Sequence, residues 1–188
     1  MGLDMYLEKY PRMGVSPRTI HAVEEFVSWA RDGLEYSFKD WCGCSSDDLP
    51  ETGTLTKLME MIHTTYYVWD KEKRYPNDYI HDQVGYWRKA NAIHNWFVEN
   101  VQDGEDDCDY HRPLTRQDLK KLAEQCRIVL NDHSKASDVL PVAHGFFFGS
   151  YEYGDWYFDE IEKTEKLCER LMDEFDFGEY ELYYKSSW

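Results

Sequence analysis

The sequence predicts an α+β fold: a small antiparallel or mixed sheet, with an N-terminal, a middle and a C-terminal strand, packed against about four helices. Three observations carry that prediction. Apolar and polar residues alternate near the N-terminus, apolar residues recur at helical spacing through several interior stretches, and the last residues return to a β-rich composition.

In chain order, "GLDMYLEKY" sets Leu3, Met5 and Leu7 against Asp4, Tyr6 and Glu8, the period of a half-buried strand. Pro11, Gly14 and Pro17 break it, and Ser16 followed by Pro17 supplies a cap and a first-turn proline for a helix over about 17–32. Its buried face is Ile20, Val23, Val27 and Ala30, widened by Phe26. "DWCGCSSDDLPETGT" has loop composition, although "YSFKDW" before it has the look of a helical turn. "LTKLMEMIHTTYYVW" begins as a short helix and becomes β-rich at Thr64–Trp69, giving the middle strand. "DKEKRYPND" is a polar connection. A long apolar helix is then expected from about Asp82 to Gln102, ended by "DGEDDCDYHRP".

Thr115 and Asp118 have the form of a capping box and open a helix to about Leu130, with Leu119, Leu122, Cys126 and Val129 on one face. "HGFFFGSYEYGD" is a glycine-punctuated aromatic segment. A helix over about 155–174 turns Tyr157, Ile161, Thr164, Leu167, Cys168 and Leu171 inward and its acids outward, and "YELYYKSS" closes the chain as a strand. The whole, residues 1–188, is of a size that suits one domain.

Composition restricts the function classes. Net charge is −16, from 37 acids against 21 bases, which disfavours direct nucleic-acid binding and favours a basic partner. From Tyr151 to Trp188 there are twelve acids and four bases, so half of the net charge lies in the last fifth of the chain. Asp155, Asp159, Glu162, Glu165, Glu169, Asp173 and Glu174 are the candidate partner-binding residues. No apolar run approaches the roughly 20 residues of a membrane span, and "MGLDMYLEKY" has acids where a signal peptide is basic. Five cysteines at irregular spacing read as reduced thiols. Together these imply a cytoplasmic protein with no membrane partner.

The sharpest local feature is "VGYWRKANAIHNWF", an apolar stretch that carries Arg88, Lys89, Asn91, His94 and Asn95. On a helix, Arg88, Asn91 and Asn95 share one edge of the apolar stripe and His94 lies between edge and core. These five are pocket candidates: Arg88 for an anionic group, the asparagines for orientation, His94 for proton transfer or ligation, with Lys89 beside them. The alternative is that Arg88 pairs with an acid while His94 and Asn91 satisfy buried polar groups. Cys42 and Cys44 in "CGC", with Cys108 and His111 in "CDYH", are candidates for a zinc site, although C-x-C is tighter than the usual zinc knuckle. Phosphate-binding, dinucleotide, zinc-protease and nucleophile-elbow motifs do not occur. No catalytic residue and no cofactor is therefore assigned.

Five stretches, "GLDMYL", "VGYWRKANAIHNWF", "NVQDGEDDC", "GFFFGS" and the terminal "SSW", resemble an uncharacterised family of small proteins met in phages, prophages and their bacterial hosts. Residues 35–80 depart most from that pattern and read as a loop-rich, variable insert. The resemblance implies an accessory protein that acts on host systems. With the acidic charge and the abundance of Tyr and Trp, it leads to the expectation of a non-enzymatic inhibitor. Its acidic surface would mimic nucleic acid against a basic host protein such as a defence nuclease, in the manner of an anti-CRISPR or anti-restriction protein. Two other classes stay open: a small-molecule or nucleotide-binding protein built on Arg88, Asn91 and His94, and a phage structural or assembly protein. The oligomeric state is not legible.

Overall fold

The computed structural model describes residues 2–30, 52–67, 80–145 and 148–188. The elements are β1 (Asp4–Pro11), α1 (Pro17–Ala30), α2 (Thr52–Tyr67), β2 (Asp82–Arg88), α3 (Asn91–Val101), α4 (Arg116–Asn131), the single turn α5 (Ala136–Val139), α6 (Asp155–Glu174) and β3 (Tyr180–Ser187). The strands form an antiparallel sheet in the order β2-β1-β3, so the fold is α+β, with six described helices against the four or so expected. By its contacts the chain divides into two compact units, Met1–Lys9 with Gln83–Trp188, and Tyr10–Asp82.

In the first unit the alternation in β1 and just before it buries Leu3, Met5 and Leu7 completely, each worth roughly 1.5–3 kcal/mol relative to exposure. Phe97 of α3 stacks on Tyr184 of β3 with ring centroids 4.0 Å apart. The Trp87 indole N–H donates to the Thr164 hydroxyl at 2.8 Å, which satisfies its one polar atom inside the core. Helices α4 and α6 pack together. Leu119, Leu122, Cys126 and Val129 are buried on one, and Tyr157, Ile161, Thr164, Cys168 and Leu171 on the other. Both faces follow the helical period of the sequence.

The capping box of α4 forms as expected: the Thr115 hydroxyl accepts from the Asp118 N–H, and the Asp118 carboxylate accepts from the Thr115 N–H at 2.8 Å. In the second unit α1 packs on α2, with Ile20, Val23, Phe26 and Leu58 buried. The Ser16 hydroxyl accepts the Thr19 N–H at 3.2 Å, so Ser16 and Pro17 start α1 as predicted.

Two elements differ from the sequence reading. The helix expected over 82–102 is strand β2 followed by α3. Within β2, Gly85 and Trp87 are buried while Tyr86 and Arg88 are exposed, and a Cβ on Gly85 would lie 2.9 Å from Leu167 Cδ2 and 3.2 Å from Leu7 Cβ. That close approach requires glycine on a strand, and a glycine inside a helix costs about 1 kcal/mol. Lys89 then adopts φ +60° and breaks the run before Asn91. The strand expected at Thr64–Trp69 is also displaced. Thr64–Tyr67 continue α2, because β propensity yields to the helix already nucleated upstream. Residues 31–51, 68–79, Phe146 and Phe147 lie outside the described set, and with them most of the expected 35–80 insert.

Candidate functional site

His94 is the most enclosed of the sequence candidates, 1% exposed on α3. Its Nε2 lies 3.0 Å from Asp106 Oδ1 and its Nδ1 lies 2.7 Å from the Tyr184 hydroxyl. A carboxylate only accepts, so Nε2–H donates to Asp106 and Tyr184 donates to Nδ1. Phe148 closes the ring edge-on at 4.9 Å, and the Trp188 indole N–H donates to the same Asp106 oxygen at 3.2 Å. Burial pushes the imidazole below its ordinary value, against the pull of Asp106, so it is neutral at pH 7. Burial likewise pushes the Tyr184 phenol well above its own, with Asp106 adding to the effect. The Asp106–His94–Tyr184 chain resembles a proton relay in its order, but its hydroxyl is held protonated inside the core. What it does chemically is tie α3, the loop after it and β3 together.

The other pocket candidates separate. Arg88 ends β2 with its side chain 62% exposed, 3.9 Å from Asp4. Asn91 is buried and donates to the Phe148 and Ser150 carbonyls at 3.2 and 2.8 Å, which fixes the aromatic segment against α3. Asn95 is half-buried. Lys89 and Asn91 do line a cavity of about 180 Å³, with Ser150, Trp156 and Glu160. That is below the roughly 300 Å³ at which small-molecule sites begin. Arg88, His94 and Asn95 are not on its wall.

On α6, Asp155, Asp159, Glu162, Glu169, Asp173 and Glu174 are exposed and Glu165 is half-buried. The surface is less uniformly acidic than the sequence implies. Arg127 reaches across from α4 to Glu165 at 2.9 Å and Glu169 at 2.6 Å, and Lys166 takes Glu162 at 2.6 Å. Asp155, Asp159, Asp173 and Glu174 make no ion pair among the described residues. Next to the first two, Tyr151, Tyr153 and Trp156 are 43%, 37% and 55% exposed.

Of the thiol candidates, Cys108 is exposed, and His111 is held by Asp107 at 3.1 Å. Cys42 and Cys44 lie outside the described residues. One cluster escaped the sequence reading altogether: His21, Glu24 and His81, whose ligating atoms all lie within 4.8 Å of one another. His21 and Glu24 form an i, i+3 pair on α1, a signal too common to notice, and His81 lies 57 residues further on.

Compared with known protein families, characterised proteins and solved structures, the chain matches none. Its functional reading rests on the geometry above.

Proposed function

We propose that the chain is a phage- or prophage-type accessory protein that acts without catalysis, covering the nucleic-acid-binding surface of a basic host protein such as a defence nuclease. The observation that supports this reading is the N-terminal end of α6. There Tyr151, Tyr153 and Trp156 stand exposed among the exposed carboxylates of Glu152, Asp155 and Asp159. Exposed aromatics are the residues that anchor protein interfaces, because they bury much area for little conformational entropy. Carboxylates around them select a basic surface and speed its encounter. The small cavity behind Lys89, and the use of Asn91 and His94 to hold the core, favour this over a small-molecule function.

The test is affinity capture from bacterial lysate at low and high salt, with duplex DNA as competitor. The expected result is a nucleic-acid-binding protein that is displaced by DNA and is lost from Trp156→Ala and from Asp159→Lys/Glu162→Lys, both still folded by circular dichroism. Capture that persists through both variants, or that excess DNA leaves untouched, overturns the reading.

A further inference from the structure

We propose that His21, Glu24 and His81 form a site for a divalent transition-metal ion, zinc being the best match, which clasps the two ends of the 10–82 unit. Glu24 is completely buried. Its Oε1 accepts the backbone N–H groups of Ile80 at 2.6 Å and His81 at 3.3 Å and lies 3.1 Å from His81 Nδ1, while Oε2 faces both imidazoles. His81 Nδ1 lies 2.9 Å from Oε2 and His21 Nδ1 lies 3.5 Å from it. An ion bonded at about 2.0–2.1 Å to nitrogen and oxygen in tetrahedral array spaces its donors about 3.3–3.4 Å apart, which falls between those two separations.

Two imidazoles and one carboxylate are the donor set of zinc and its first-row neighbours, not of calcium or magnesium. The surroundings are those of a ligand set as well. The Tyr10 hydroxyl sits 2.7 Å from His21 Nε2, placed to accept the ring N–H in the tautomer that would bind an ion through Nδ1. Tyr10 also stacks on His81 with centroids 5.3 Å apart. A dication answers the charge of a buried carboxylate, which is otherwise costly to hold out of water. The donors come from α1 and from the residue before β2, with Tyr10 at the end of β1. One ion therefore closes the loop of 57 residues from Glu24 to His81, the arrangement in which a metal clip contributes most.

The experiment is titration of the full chain with Zn(II) and with Co(II). The expected result is one saturable equivalent per chain and visible Co(II) bands of a nitrogen–oxygen tetrahedral site. Affinity should fall about tenfold in Tyr10→Phe and be lost in His81→Gln and His21→Gln, and a Cys42→Ser/Cys44→Ser/Cys108→Ser variant should retain it. Each variant is checked by circular dichroism. The Co(II) spectrum of the unaltered chain decides the matter if the histidine variants fail to fold. A thiolate-to-cobalt charge-transfer band, loss of binding in the cysteine variant, or no saturable binding overturns the proposal.

Discussion

At the scale of single residues, His94 shows why chemistry that looks reactive in a sequence can serve the core. The stretch around it made His94 a pocket candidate because a polar group on an apolar helix is conspicuous. Its partners, Asp106 and Tyr184, lie twelve and ninety residues away, and no spacing rule reports them. The linkage is definite in sign. The folded imidazole titrates below its ordinary value of about 6.5, so the unfolded chain binds the proton first as pH falls. The stability that His94 contributes is complete above that value. It is lost as pH falls from there through the lower folded value. His94→Gln should therefore be less stable by about 1–3 kcal/mol at neutral pH, having disturbed two buried partners. It should also lose less stability than the parent on going from about pH 7 to about pH 5. Urea unfolding of both chains across that range measures this, and parallel curves would mean that the folded ring takes up its proton freely. His21, Glu24 and His81 were less legible still, since they become neighbours only when the chain returns to β2.

Helices with local signals were read correctly, and segments whose identity depends on distant packing were not. The α4 capping box is written in four consecutive residues, and α6 begins and ends where its periodicity does. β2 was read as helix because Gly85 reveals its role only through Leu7 and Leu167 on other elements. Gly85→Val should thus cost about 1–3 kcal/mol, seen as a lower thermal midpoint. Burial alone would raise the Asp118 carboxyl at the start of α4. The hydrogen bonds from Arg112 and from the Thr115 backbone and hydroxyl outweigh it and bring the group down to about 2. Asp118→Asn should cost about 1 kcal/mol, a modest figure because the Arg112 partner is open to solvent. That difference should be complete above about pH 4 and vanish as pH falls through about 2. The far end of α6 breaks a local rule: Asp173 stands exposed in a last turn that carries no basic residue, where the helix dipole disfavours an acid. Asp173→Lys should stabilise the fold by about 0.3–1 kcal/mol. If the acids serve a basic partner, the same change should weaken its capture. A variant that gains stability and binds no less would assign Asp173 to solubility alone.

Over the whole molecule, the charge was fully legible from composition and its pairing was not. With 37 acids and 21 bases, even complete pairing leaves sixteen carboxylates facing one another. Salt therefore has two opposed effects on the fold: it weakens pairs such as Arg127 with Glu165 and Glu169, and it relieves repulsion among the excess acids. Exposed pairs contribute at most about 1 kcal/mol each. Repulsion acts among all the uncompensated groups, over about 30 Å at 0.01 M salt and about 10 Å at 0.1 M. Repulsion should win, so the thermal midpoint should rise as salt is added across that range. The rise should be smaller in Asp155→Lys/Asp159→Lys/Glu162→Lys, where each change removes a negative charge and adds a positive one, taking the net charge from −16 to −10. This bears directly on the capture experiment. If salt stabilises the fold while it releases the partner, the release reports broken complementarity between two charged surfaces and not an unfolding bait. A midpoint that falls with salt would show that the ion pairs outweigh the excess charge, and salt-dependent capture would then need a folded control at every concentration.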